Sequence, residues 1–157
     1  MFKKILFCTD FSENSDWAFK YALNLARTYQ AKLLILHVIP PDPVYLYPDQ
    51  LYAYLPEERI EEYEVSEKEK ADRELNSYYI QRMNGFKDYK VIFKKGVAFY
   101  EIIQTAREES IDLIVMGTHG RTGLDHILFG STAEKVVRKS PYPVLTVRLP
   151  GKKFVMP

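Results

Sequence analysis

The chain has 157 residues, which are too few for two domains of ordinary size. Its hydrophobic residues make up 46% of the sequence, enough to form one core. Its 22 lysines and arginines are balanced by 21 aspartates and glutamates, so it lacks the broad cationic surface that binds a nucleic-acid backbone. Cys8 is the only cysteine, which excludes an internal disulfide framework and a cysteine-rich metal site. No apolar run approaches the roughly 20 residues that span a bilayer, and the first run stops at Asp10, too early for an export segment. We therefore expect one cytoplasmic domain over residues 1–157 that binds neither nucleic acid nor membrane.

Five short apolar runs predict five β-strands, at residues 5–9, 33–39, 91–93, 111–116 and 144–147. Most are nearly continuous in apolar residues, which is typical of parallel strands covered on both faces. Apolar residues at helical spacing predict helices between them, at about 18–29, in the second half of 57–83, at 99–106 and at 131–139. In the second of these regions the predicted apolar face holds Ala71, Leu75, Tyr78 and Tyr79. The alternation predicts an α/β domain with three layers and a doubly wound parallel sheet.

The stretch from Pro40 to Pro56 breaks this rhythm, because it carries five prolines and four tyrosines without a sustained period. It predicts a long connecting loop, and long loops in compact domains are usually functional or mobile. Two interpretations remain open: a surface loop whose tyrosines pack on the domain, or a lid or partner surface. A short C-terminal tail follows the last strand at 150–157.

Four glycines lie between the end of the fourth predicted strand and the start of the last helix: Gly117, Gly120, Gly123 and Gly130. In an open parallel sheet, ligands bind beyond the carboxyl ends of the strands. Glycines there let backbone N–H groups approach an anion, and a helix start adds unpaired donors. Gly130-Ser131-Thr132 therefore forms a candidate phosphate cradle, the alternative being that these glycines only serve tight turns.

The spacing of this segment is specific: Gly117-Thr118-His119-Gly120, nine further residues, then Gly130-Ser131. It resembles the G-x-x-G, nine residues, G-[S/T] motif of the ATP-binding branch of the universal stress protein family (UspA-like). The similarity extends over nearly the whole chain, through residues 4–6, 9–12, 36–38, 112–117, 130–137 and 143–145. The resemblance implies a five-stranded parallel sheet in the order 3-2-1-4-5, the adenine nucleotide alpha hydrolase-like fold. It also implies ATP as ligand, with Mg²⁺ or Mn²⁺ on its phosphates, and a homodimer paired through the final strand at 143–148.

The same resemblance assigns roles to individual residues around this motif. It places Asp10 at the ribose with Thr9 beside it, Val38 at the adenine edge through its backbone, and Met116 against the base. Phosphate contacts fall on Gly117, Gly120, Gly130, Ser131 and Thr132. Strands one and four are neighbours in the implied order, so Asp10 and Gly117 should face each other. Asp10 has an alternative role as the cap of the first helix, although Ser12 is better placed for it.

Two further residues of the glycine segment, His119 and Arg121, complete the eleven residues expected at the ATP, although their individual roles are open. Arg121 either pairs with phosphate or points into solvent. His119 would need a nucleophile and an orienting acid to act as a general base, and the sequence shows neither, so we assign no catalytic residue. The three histidines lack metal-ligand spacing, so any metal should arrive with the nucleotide. Cys8 ends a buried strand and is interpreted as an inert core thiol rather than a redox sensor.

Three functions are compatible with these features. The first is a homodimeric, ATP-dependent regulatory protein of the stress response, with at most slow ATP hydrolysis. The second is an interaction protein that uses the Pro/Tyr-rich loop and keeps a structural or vestigial nucleotide site. The third, an ATP-cleaving adenylating enzyme, is disfavoured because such enzymes carry a glycine-rich S-G-G-x-D-S loop after strand one, where this chain has Thr9-Asp10-Phe11-Ser12-Glu13-Asn14.

Overall fold

A computed structural model describes residues 1–41, 57–119 and 130–151 of the chain. Within these ranges five strands alternate with four α-helices and one 3-10 turn. In chain order they are β1 (Lys4–Thr9), α1 (Glu13–Tyr29), β2 (Lys32–Ile39), α2 (Glu57–Tyr78), the 3-10 turn (Ile80–Arg82), β3 (Tyr89–Lys95), α3 (Ala98–Glu108), β4 (Leu113–Gly117), α4 (Ser131–Lys139) and β5 (Val144–Val147). No helix in the described part is long and apolar enough to cross a bilayer.

The five strands form a single parallel sheet in the order β3-β2-β1-β4-β5, which confirms the predicted fold class and strand order. Strand β1 lies at the centre, where it pairs Thr9 with His37 of β2 and Cys8 with Met116 of β4. The chain reverses its direction of winding between β1 and β4. Their carboxyl ends therefore border the crevice where open α/β sheets bind ligands.

Each face of the sheet is covered by two helices. Phe7 and Val115 pack against α1 and the end of α2, whereas the neighbouring residues Leu6 and Ile114 pack against α3 and α4. Because successive side chains of a strand point to opposite faces, both sets of strand residues must be apolar. This explains the continuous apolar runs and confirms the three-layer arrangement.

Helix α2 differs from its prediction at both ends. It begins at Glu57, well before the predicted second half of the region, and none of residues 61–70 is buried. A helix without a buried face leaves no apolar period in the sequence, so its first turns could not be found that way. Tyr78 is 43% exposed and not on the buried face as predicted, whereas Tyr79, just beyond the helix end, is fully buried.

Two strands differ by two residues from their predicted bounds at one end or at both. Strand β4 begins at Leu113, so Ile111 and Asp112 precede it, and β3 extends over Tyr89–Lys95 on both sides of the predicted run 91–93. Strand β3 is an edge strand whose ends carry lysines, and such residues are not part of an apolar run. Residues 42–56 and 152–157, which hold most of the Pro/Tyr-rich loop and the tail, lie outside the described ranges, so the expectations for both stay predictions.

Candidate functional site

A cavity of about 270 Å³ lies at the carboxyl ends of β1, β2 and β4, next to the first turns of α3 and α4. It is lined by nine of the eleven residues that were expected at the ligand: Thr9, Asp10, Val38, Met116, Gly117, His119, Gly130, Ser131 and Thr132. The other two, Gly120 and Arg121, lie outside the described residues. Residues from both sides of the point between β1 and β4 where the winding reverses thus line one concave site. Its volume is close to the lower limit for small-molecule pockets.

One end of the cavity is apolar. Cys8, Leu36 and Met116 form its base from three neighbouring strands, and Ile102 closes it from α3. Burial raises the pKa of the Cys8 thiol far above its usual range, so this sulfur stays protonated at neutral pH. This agrees with the interpretation of Cys8 as an inert thiol and leaves the base of the cavity uncharged.

The start of α4 forms another part of the cavity wall. Gly130 is the N-cap residue, and its N–H donates to the carbonyl oxygen of Thr118 at 2.7 Å. Glycine has no side chain to cap the helix, and the first N–H groups of a helix have no acceptor within it. These donors, the positive end of the helix dipole and the hydroxyl groups of Ser131 and Thr132 all border the cavity, which is the arrangement that binds phosphate and other anions.

Asp10 lies on the tight turn between β1 and α1. Its Oδ1 accepts hydrogen bonds from the backbone N–H of Ser12 at 3.1 Å and from the Ser12 hydroxyl at 2.6 Å. Ser12 in turn is the N-cap of α1, where its side chain accepts from the N–H of Ser15. The prediction that Ser12 caps this helix is therefore confirmed, and Asp10 sits at the cavity wall in a fixed orientation.

Gly117 has a packing role that sequence reasoning did not foresee. A Cβ atom at this position would lie 2.9 Å from the carbonyl carbon of Asn14 in the first turn of α1. A carbon atom does not approach backbone so closely, so only glycine lets β4 end against α1. The close approach brings the Asp10 turn next to the end of β4.

Several residues of the site were not predicted. Ser15 and Thr118 are buried polar residues at the cavity wall, and the Thr118 hydroxyl lies 3.0 Å from Nδ1 of His119. Thr118 directly follows a buried strand at the ligand-binding edge, a signal that could have identified it. Ser15 and Ala98 give no such signal, since only the packing of helices on the sheet brings them there. Within the described residues, no three potential metal-ligating side chains cluster.

Comparison with models of known protein families shows to which family the chain belongs. The model of the universal stress protein family matches residues 1–148. The chain belongs to the universal stress protein family. The match includes all five strands and both sides of the cavity.

Individual relatives agree over nearly their full length. The chain is 34% identical over 157 residues to universal stress protein MJ0577 of Methanocaldococcus jannaschii, covering 94% of this chain and 96% of the relative. It is 33% identical over 148 residues to universal stress protein YxiE of Bacillus subtilis, with coverage of 94% and 100%. The solved structure of MJ0577 superposes with a TM-score of 0.80 over 95% of this chain and 97% of that one. Universal stress protein UspA from Lactobacillus plantarum gives a TM-score of 0.69 at 25% identity over 93% and 97% of the two chains.

Proposed function

We propose that this universal stress protein binds ATP in the cavity and acts in the cytoplasm as a nucleotide-dependent regulator of the stress response. One observation carries the proposal: an uncapped helix start, a carboxylate on a fixed turn and an apolar base share one cavity at the switch point of the sheet. An adenine nucleotide has the complementary parts: anionic phosphates, a ribose with hydroxyl donors and an aromatic base. The phosphate motif, which resembles that of the ATP-binding branch of the family, supports the same ligand.

We propose a position for each part of the nucleotide from the chemistry of the residues that line the cavity. The base fits the apolar end between Met116 and Val38, where the backbone of Val38 would meet the polar edge of adenine. Asp10 would accept hydrogen bonds from the ribose, and the phosphates would lie at Gly117 and at the Gly130–Thr132 start of α4, with His119 beside them. Gly120 and Arg121 belong to the same motif and are proposed as further phosphate contacts. Mg²⁺ or Mn²⁺ would bind through the phosphates and neutralise part of their charge.

We propose at most slow hydrolysis of this ATP. The Asp10 carboxylate accepts two hydrogen bonds from Ser12, which hold it in the turn between β1 and α1. A general base must instead be oriented so that it can take a proton from the attacking water. The protein therefore fits a binding and signalling role better than rapid turnover.

Titration of the nucleotide-free protein with ATP in Mg²⁺ buffer, followed by calorimetry, tests the proposal. We expect one site per chain with a dissociation constant of about 1 µM or tighter. GTP serves as the control, because its base presents a different polar edge at Val38 and should bind more weakly. Absence of heat up to about 1 mM ATP would contradict the proposal.

We further propose that two copies of the chain pair through β5. This strand lies at the edge of the sheet, and the carbonyl groups of Pro143 and Val147 bond to β4 and to Thr118 just beyond it. Because backbone groups of successive residues point to opposite sides, the N–H groups of Val144 and Thr146 point to the free edge. Such an apolar edge is a template for pairing across a two-fold axis.

Replacing Thr146 with proline should convert the dimer into a monomer. Proline removes the outward N–H of Thr146 and is tolerated in edge strands, so the bonds to β4 remain. Multi-angle light scattering at micromolar concentration measures the result, with Thr146→Val as the control that keeps the N–H. A monomeric wild type, or a Thr146→Pro protein that stays dimeric, would rule out pairing through this strand.

A further inference from the structure

Three buried hydroxyl groups meet at the wall of the cavity, and two of them belong to residues that line it. The Tyr79 Oη lies 2.6 Å from the Thr9 Oγ1 and 3.4 Å from the Ser15 Oγ, and the two smaller hydroxyls are 3.2 Å apart. Tyr79 is fully buried, although it stands 70 residues along the chain from Thr9. Buried hydroxyl groups are stable only when each finds a partner, and these three find one another.

The directions of these bonds follow from a count of protons. The Ser15 hydroxyl donates to the carbonyl oxygen of Ser12 at 2.9 Å, so it accepts from Thr9. Because the single hydroxyl proton of Thr9 is donated to Ser15, the hydroxyl of Tyr79 must be the donor in its bond with Thr9. Burial raises the pKa of Tyr79 to about 12, so its hydroxyl remains a donor throughout the physiological pH range. A directed chain of hydrogen bonds runs from Tyr79 through Thr9 and Ser15 to Ser12, the residue that holds the Asp10 carboxylate.

The same hydroxyl cluster fixes a strained turn. Phe11 has φ of +62°, a left-handed conformation that is uncommon for a bulky residue. Its N–H donates to the Thr9 Oγ1 at 2.9 Å. Its ring packs against the His37 ring at a tilt of 35°, with centroids 4.4 Å apart, and lies nearly parallel to the Tyr79 ring at 6.1 Å. Such backbone strain persists only where the surrounding structure holds it, and it concentrates at functional sites. Here the strained residue directly follows Asp10.

We propose that Tyr79 is a positioning residue that gives the cavity its preference for a ribonucleotide over a deoxyribonucleotide. The inference rests on the proposed function, in which Asp10 binds the ribose. The Tyr79 hydroxyl holds Thr9, Thr9 holds the N–H of Phe11 and the Ser15 hydroxyl, and the fixed turn orients Asp10 towards the sugar. Without this hydroxyl the turn can relax, which weakens the contact of Asp10 with the sugar hydroxyls but leaves the phosphate site at the start of α4 unchanged.

The test compares ATP, 2′-deoxyATP and 3′-deoxyATP by calorimetry on wild type and on Tyr79→Phe. The substitution keeps the ring, which packs against Phe7 and Phe19 at centroid distances of 5.2 and 4.7 Å, and removes only the hydroxyl. Tyr78→Phe is the matched control, because it removes the hydroxyl of the neighbouring, 43% exposed tyrosine. Thr9→Val, which removes the central hydroxyl at constant shape, provides a second variant should Tyr79→Phe fail to fold.

We expect wild type to prefer ATP over at least one deoxy analogue by about tenfold, and Tyr79→Phe to reduce that ratio by about fivefold. Thr9→Val should reduce it similarly, whereas Tyr78→Phe should leave it unchanged. An unchanged ratio in Tyr79→Phe, even with weaker binding of all three nucleotides, would overturn the inference, since a purely structural role lowers every affinity alike. A wild type that binds ATP without discrimination would overturn it as well. If wild type binds none of the three nucleotides, the proposed function itself fails.

Discussion

Gly117→Ala is expected to destabilise the fold by about 2–3 kcal/mol, because the added methyl group meets the backbone of α1 and not a side chain that could turn away. The new Cβ would lie 2.9 Å from the carbonyl carbon of Asn14 and 3.0 Å from its carbonyl oxygen. Relief requires β4 and α1 to separate, and both belong to the same core face. Urea unfolding followed by circular dichroism measures the loss as a lower midpoint with an unchanged slope.

Gly85→Ala is the control for this prediction. Gly85 has φ of +82°, and a methyl group added there would meet no atom within 4 Å, so its substitution reports backbone strain alone, about 1 kcal/mol. Gly117→Ala should be the more damaging of the two. Equal stabilities for Gly117→Ala and wild type would mean that β4 and α1 tolerate a methyl group between them, and that the glycine serves only the phosphate motif.

Combining Gly130→Val with Ser131→Ala is expected to weaken ATP binding at least about 100-fold, or ~2.7 kcal/mol, without unfolding the protein. Gly130 has φ of −65° and ψ of 155°, an extended conformation that valine also adopts. The valine side chain would cover the first N–H groups of α4, and the second change removes a hydroxyl at the cavity. Calorimetric titration gives the affinity, and thermal melting verifies the fold.

Val137→Ala is the matched control for the double variant. Val137 lies on the same helix, is uncharged and 45% exposed, and does not line the cavity. Its substitution should leave the ATP affinity unchanged. An ATP affinity of the double variant equal to that of wild type would place the phosphates somewhere other than the start of α4.

Elements with a buried face were predictable from the sequence, and elements without one were not. Strand β5 and helix α4 have the predicted bounds, and α4 buries Ala133 and Val136 on one side. The first turns of α2 carry only partly or fully exposed side chains over residues 61–70, so their helical structure rests on local preferences and pairs such as Glu69 with Arg73. The spacing of apolar residues reveals an element only when one of its faces is buried, so it could not reveal the exposed first turns of α2.

Some residues of the candidate site could likewise be predicted from the sequence, and others could not. Residues next to the ends of strands, such as Asp10 and Met116, could be placed at the cavity because parallel strands end at a common edge. Tyr79 could not, since its contact with Thr9 depends on how the end of α2 packs on the sheet. The packing reason for Gly117 was hidden too, because a glycine in a phosphate motif looks the same in sequence whether it faces a ligand or a helix.

The proposal that the cavity holds ATP is best tested by identifying the small molecule that the protein carries. The purified protein is denatured by heat, and the supernatant is analysed by mass spectrometry before and after incubation with Mg-ATP and removal of free nucleotide. We expect ATP in about one copy per chain after incubation, and none in the Gly130→Val, Ser131→Ala variant. Wild-type protein that retains no nucleotide after incubation, and shows none by equilibrium titration, would contradict the claim.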